Sequence, residues 1–443
     1  MILSNEQDAA FNKYIEGKNV FITGPGGTGK SELIRKIYTH AKENDRRISV
    51  CALTGCAAVL LQCKAKTIHS WAGIGIGSGT IESNIKKIME KEFKKKNWRE
   101  TQTLVLDEVS MLSLKLFEML DKIGREVRKC PDKPFGGLQV IFSGDFFQLP
   151  PVGSKEEPET CQFCFESEKW NETFPRESQI PLVKIFRQAD PIYARILNEI
   201  REGRLKRSSN NVLLQYVGRK QPIEAIIRPT KLFPTKNKVE TINNSEILNL
   251  TSEEKTYILK NMIDLPMTKY EKERRWKYGE NEVQAELAYL QNNLLCDREL
   301  RIKVGAQVMC VVNIDLEMPN GEMLCNGSQG IVTRFAENNI PIVKFNNGIT
   351  IPMERHIWLS ENIPGVGVSQ IPLILSWALT IHKAQGATLD IAEIDVGAGI
   401  FECGQTYVAL SRIKSLEGLY LNSFDASKIR IHKKVKEYYE SLK

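Results

Sequence analysis

Residues 19–38 read NVFITGPGGTGKSELIRKIY, and the order of their parts decides the fold class. The apolar run at 19–23 suits a strand, while Leu33, Ile34, Ile37, Tyr38 and Ala41 recur with the period of one helix face. Between them lies GPGGTGKS, made of Gly24, Pro25, Gly26, Gly27, Thr28, Gly29, Lys30 and Ser31. Glycines let the N–H groups of such a loop wrap phosphate oxygens, and the helix N-terminus adds its positive dipole end. Lys30 then reaches the β- and γ-phosphates, and Ser31 can ligate Mg²⁺. Strand, loop and helix in this order predict an α/β protein with a nucleotide site.

A second apolar run, Leu104, Val105 and Leu106, ends in Asp107 and Glu108. This spacing puts Asp107 by the metal and Glu108 by the attacking water, as a general base for γ-phosphate hydrolysis. Residues 134–152, PFGGLQVIFSGDFFQLPPV, hold a third run bounded by glycines, which suits a strand covered on both faces by helices. Ligands of such sheets sit beyond the carboxyl ends of the strands, so Asp145 and Gln148 are expected there, with Gln148 sensing the γ-phosphate. Phe146 and Phe147 admit two readings: bases stack on them, or they pack in the core. Gln7, in LSNEQ, is a candidate for contact with the nucleotide base.

Bulk properties set wider limits. With 443 residues, two or three domains are expected, and 42% hydrophobic residues can fill their cores. Sixty-one basic and 54 acidic residues leave +7, which permits a polyanionic partner without demanding one. The N-terminal residues lack the apolar core of a signal peptide, and 371–381 is too short and interrupted to span a bilayer. A soluble, intracellular protein with no membrane partner is therefore expected. Of ten cysteines, only Cys161 and Cys164 form a CxxC, and no second pair or nearby His completes a zinc site. Packing cysteines in a reducing compartment are the expectation. No internal repeat is present.

Further motifs follow in order: ALTGCAA (52–58), TIHSWAGIG (67–75), LDEVSML (106–112), FRQADP (186–191), LFPTKNKVETIN (232–243), LRIKVGAQVM (300–309), NGSQGIV (326–332), LTIHKAQGATLD (379–390) and YVALSR (407–412). With the phosphate loop and 134–152, this set resembles the petite integration frequency family of DNA helicases, in the RecD-like branch of superfamily 1. The resemblance covers nearly the whole chain and is weakest over 251–295. It implies two RecA-like parallel-sheet P-loop domains with small inserted domains, one an SH3-like β-barrel. Residues 1–180 would be the first RecA-like domain, with a wedge insertion near 59–80, and 181–250 with 370–432 the second. Residues 251–299 would be a partly helical insertion and 300–369 the barrel, whose short β-like segments are separated by Asn and Gly turns. The basic run 91–96 reads as a solvated helix face.

The same resemblance assigns roles. Arg187 and Arg412 match arginines that approach the γ-phosphate from the second domain, and Gln385 and Gly386 lie in the loop linking that site to DNA. Thr54, Gly55, His69, Thr380, His382 and Lys383 match positions that contact the DNA strand, mostly hydroxyls and cations suited to phosphates. ATP and Mg²⁺ are the implied cofactors. Single-stranded and forked DNA are the implied partners, with a monomer moving 5′-to-3′ and unwinding duplex ahead. A DNA-stimulated translocase that does not unwind stays open at this point. A small-molecule kinase leaves Arg187, Arg412 and the second half of the motifs without a purpose.

Overall fold

The computed structural model describes residues 3–442 except 55–56, 59–60, 62, 76–79, 91, 155, 189, 221–227, 295, 313, 316–322, 325–326, 361–362, 382–383 and 385–387. The chain forms two compact units, one of residues 1–212, 400–416 and 425–443, the other of 213–399 and 417–424. No helix among the described residues is long and apolar enough to cross a membrane.

The first unit is built on a parallel sheet of six strands. These are β1 (Val20–Thr23), β2 (Ile48–Ala52), β3 (Lys66–Thr67), β4 (Thr103–Asp107), β5 (Gln139–Gly144) and β6 (Gln179–Pro181), in the order β3-β2-β4-β5-β1-β6. Every residue of β1, β4 and β5 is buried, as a sheet covered on both faces requires. Alternation divides them between two layers. Val20, Ile22, Val105 and Ile141 pack with Leu33, Ile34 and Ile37 of helix α2 (Lys30–Glu43). Phe21, Leu104, Leu106, Val140 and Phe142 face Phe117, Leu120 and Ile123 of the helix Leu114–Arg128. Each such side chain contributes roughly 1.5–3 kcal/mol when fully buried, so the two layers fix which end of each strand faces the phosphate loop.

The second unit has a four-stranded parallel sheet, with Thr230–Phe233 between Ala378–Thr380 and Ala392–Val396, and Leu419–Phe424 beyond the latter. Residues 300–369, expected as a barrel, contribute Gln307–Cys310, Gln329–Phe335, Pro341–Phe345 and Thr350–Pro352 to a five-stranded antiparallel sheet completed by Leu373–Leu375. Within 251–299, the helices Lys269–Arg275 and Glu280–Asn293 accompany two short strands, Lys255–Ile258 and Lys260–Met262.

By packing, residues 181–212, 400–416 and 425–432 fall in the first unit, whereas the family resemblance assigns them to the second RecA-like domain. The cause is local: β6 pairs with β1, and the helix Pro191–Arg201 packs on the helix Gln405–Leu410, with Tyr193 Oη donating to the Leu410 carbonyl at 2.7 Å. In the expected wedge region, Lys66 and Thr67 extend the main sheet as its edge strand beside β2. The last helix, Lys433–Ser441, also joins the first unit through Val435, Tyr438 and Tyr439.

The turn PFGG that launches β5 depends on a close backbone approach. Phe135 has φ 51° and Gly136 φ 64°, both in the left-handed region, and the Phe135 N–H donates to buried Asp121 at 2.8 Å. Gly124, on the facing helix, leaves no room: a Cβ there would lie 2.7 Å from the Phe135 carbonyl oxygen. Gly124→Ala should therefore destabilise the protein by about 1–3 kcal/mol, the usual cost of overpacking. In urea the unfolding midpoint should fall with little change in slope. An unchanged midpoint would show that the turn yields freely.

Candidate nucleotide site

The loop after β1 is shaped by its glycines. Gly27 has φ 84° and Gly29 φ 78°, so both need the left-handed region. Gly29 is also the N-cap of α2 and gives no side-chain cap, so main-chain N–H groups of the first turn stay available to an anion. Lys30 Nζ donates to the carbonyls of Gly24 and Pro25, at 2.7 and 2.9 Å. Burial lowers the Lys30 pKa, while the charges of Asp145, Glu108 and Asp107 oppose it. Thr28 Oγ1 ties the loop to the Pro25 carbonyl at 2.9 Å, and half-buried Ser31 follows in the first turn of α2.

Gln7, in the helix α1 (Asn5–Ile15), is buried beneath this loop. Its Nε2 donates to the carbonyls of Thr28 and Gly29 at 3.2 and 3.4 Å, and its Oε1 accepts from the Ser4 N–H at 2.9 Å. Here the amide supports the loop itself.

Asp107 and Glu108 lie at the carboxyl end of β4. Asp107 is 6% exposed; burial raises its pKa, opposed by the nearby Ser143 hydroxyl, the Glu108 backbone N–H and the charge of Lys30. A carboxylate so placed gains from a cation beside it. Glu108 has φ 57°, a left-handed turn that redirects the chain immediately after the strand. Its charge bears on Lys30, Arg187 and Arg412 alike.

Both arginines are in the same unit as the phosphate loop. A Cβ on Gly27 would lie 2.5 Å from Arg187 Cβ, and Arg187 Nη1 donates to the Ser411 carbonyl at 3.2 Å. Arg412, 2% exposed, donates through Nε to the Val408 carbonyl at 3.0 Å. Burial and then the neighbouring Arg187 push its pKa down to about 10, so it keeps its charge at neutral pH. Tyr407 completes the group, its Oη accepting the Gly26 N–H at 2.7 Å.

The loop after β5 resolves the two readings of its aromatics. Phe146 is buried among Phe21, Phe165 and Trp170, and Phe147 stacks on Tyr439 with centroids 4.6 Å apart and rings 14° from parallel. They are core residues and present no face to a base. Asp145, expected where a ligand binds, is instead fully buried and paired with Arg201 through two contacts of 2.8 Å. Gln148 is 5% exposed, and its Oε1 has no hydrogen-bond partner among the described residues. An unpaired buried acceptor of this kind suits a water O–H.

The remaining candidates fall in both units. Thr54 Oγ1 accepts the Ala57 N–H at 3.2 Å, and His69 sits in the short helix Ile68–Ala72. Burial lowers the His69 pKa, which favours the neutral imidazole. Thr380 ends a strand of the second unit. Gly55, His382, Lys383, Gln385 and Gly386 lie outside the described residues.

Sequence reasoning passed over Tyr407, Arg201 and Tyr439. One signal was present: Tyr193, Ile196, Leu197, Ile200 and Arg201 share a helix face, and an arginine on an apolar face calls for a buried anionic partner. If Arg187 and Arg412 act on transferring phosphoryl charge, Ala at either should cut ATP hydrolysis by roughly 10³-fold, with nucleotide affinity much less affected. Steady-state turnover and equilibrium nucleotide binding, on variants shown to be folded by circular dichroism, check this. Hydrolysis that survives both single changes would remove the arginines from the reaction.

Comparison with known proteins gives the family. A family model described as PIF1-like helicase matches residues 2–211, and one described as DNA helicase Pif1, 2B domain matches residues 287–335. The chain is 34% identical over 486 residues to ATP-dependent DNA helicase PIF1 of Emericella nidulans, covering 96% of this chain and 61% of that protein. It is 31% identical over 516 residues to ATP-dependent DNA helicase RRM3 of Saccharomyces cerevisiae, covering 100% of this chain and 68% of that one. The chain thus spans about two thirds of the length of these relatives. Among solved structures, Pif1 from Bacteroides sp in complex with ADP-AlF4 is 30% identical with a TM-score of 0.80, covering 100% of this chain and 97% of that one. A structure titled for DNA unwinding at forked dsDNA by two coordinating Pif1 helicases is 29% identical with a TM-score of 0.65, with the same coverage of 100% and 97%. The parallel sheets of the two units are those of RecA-like domains, and the chain belongs to the PIF1-like helicase family.

Proposed function

We propose that this protein hydrolyses ATP to move 5′-to-3′ along single-stranded DNA and unwinds duplex ahead of it. The observation that carries the reading is the gathering of Lys30, Glu108, Arg187 and Arg412 around one phosphate loop within a single compact unit. Such a set positions a phosphate chain, offers a base for water and sets fixed cations where charge develops. The membership in a family whose named relatives are ATP-dependent DNA helicases supports it.

The residues present also fit a divalent cation. Ser31 and Asp107 offer the oxygen donors Mg²⁺ prefers, and buried Asp107 carries a raised pKa that a cation would relieve. When bound, the ion would neutralise charge on the β- and γ-phosphates. Glu108 orients or deprotonates water, Gln148 Oε1 accepts a hydrogen bond from it, and Lys30 leaves the Gly24 and Pro25 carbonyls for phosphate oxygens. Thr54 and His69 of the first unit and Thr380, His382 and Lys383 of the second act as grips on the strand. Their chemistry favours backbone contacts, little sequence preference and strong salt sensitivity.

Direction of travel and action as a monomer rest on family resemblance. Partial duplexes with a 5′ tail or a 3′ tail, given ATP and Mg²⁺, provide the test. Strand displacement from the 5′ tail alone is expected. Displacement from the 3′ tail alone would overturn the polarity, and DNA-stimulated hydrolysis without displacement of either would replace unwinding by translocation.

A further inference from the structure

We propose that Asp145, Arg201 and Tyr439 form a latch that positions the Gln148 loop for ATP hydrolysis, without themselves touching the nucleotide. The inference rests on the ATPase reading above.

Asp145 opens the loop that ends in Gln148. Its carboxylate accepts from Arg201 Nε and Nη2, both at 2.8 Å, and from Tyr439 Oη and the Phe147 N–H, both at 3.3 Å. The Arg201 guanidinium lies 4.5 Å from the centre of the Phe147 ring and 5.3 Å from that of Tyr439. Tyr439 reaches further: its hydroxyl is 2.5 Å from Thr23 Oγ1 and accepts the Phe146 N–H at 3.1 Å. Thr23 is the last residue of β1, immediately before the phosphate loop. One tyrosine hydroxyl therefore ties the root of that loop to the backbone beside Asp145.

The other side of the Gln148 loop is fixed by contact. Gly404, which caps the helix Gln405–Leu410, packs against it so closely that a Cβ would lie 2.5 Å from the carbonyl oxygens of both Phe147 and Gln148. That helix carries Tyr407, and Arg412 follows it. The phosphate loop, the Gln148 loop and the Arg412 segment thus share one reference point, which Arg201 and Tyr439 hold from behind.

Stability is a poor reason for this design. A buried ion pair often does no better than apolar side chains of the same volume, whereas it fixes geometry through several directional bonds. Reacting groups misplaced by about 1 Å can lose ~10²-fold in rate.

The test compares Tyr439→Phe, Arg201→Lys and Arg201→Met with the unaltered chain in steady-state ATP hydrolysis with single-stranded DNA, alongside thermal unfolding. Tyr439→Phe keeps the ring stack and loses only the hydroxyl. It should lower kcat by roughly 10–100-fold while KM for ATP stays within about threefold and the protein unfolds at nearly the same temperature. Arg201→Lys, which keeps the charge, should retain more activity than Arg201→Met. A Tyr439→Phe variant with normal kcat overturns the latch, whether or not its melting temperature falls. So does a loss confined to KM. If the unaltered chain hydrolyses no ATP with any DNA, the ATPase reading itself fails, a result distinct from a failure of the latch.

Discussion

The parallel pairing of β1, β5 and β4 is the constraint on which the rest depends. Thr23 is in register with Gly144 and Leu106 with Phe142, so the three carboxyl ends emerge along one edge of the sheet. The phosphate loop, the Gln148 loop and the Asp107–Glu108 pair are continuations of those strands. A one-residue slip would exchange the two faces of a strand, putting Phe21 among the small aliphatic residues packed on α2 and breaking both layers at once. Packing of the two layers therefore holds the chemistry in place.

Charge completes what packing begins. Lys30, Arg187 and Arg412 are partly or wholly buried cations in a site whose acidic residues include Asp107 and Glu108, and burial works against the charge of each of the three. Such a cluster is poised to gain from a polyanion. The strand ends also explain why Arg201 is needed away from the phosphates: Asp145 follows β5 directly, is buried there, and must be paired.

Much of the fold was legible because strand, glycine loop and helix announce themselves locally, as at 19–38. The buried runs of β4 and β5 were equally plain, since sheets covered on both faces permit near-continuous apolar strands. Long-range pairing was not. Nothing near Asp145 in sequence names Arg201 or Tyr439, and the two aromatics at 146–147 read as well for a stacking surface as for a core. Nor does the local sequence show that β6 pairs with β1, that Tyr407 joins Gly26 or that Tyr193 joins Leu410, the contacts that gather 181–212 and 400–416 into the first unit. His69 shows a subtler limit, because its identity suggests a cation while burial favours the neutral ring.

The central claim is that Glu108 serves chemistry at this edge and not the binding of nucleotide. Glu108→Gln preserves shape and removes the base, so ATP affinity and single-turnover hydrolysis, measured separately, give the most direct test. The account predicts affinity close to that of the unaltered chain with hydrolysis at least ~10²-fold slower. Equal losses in both, or an unchanged rate, would contradict it.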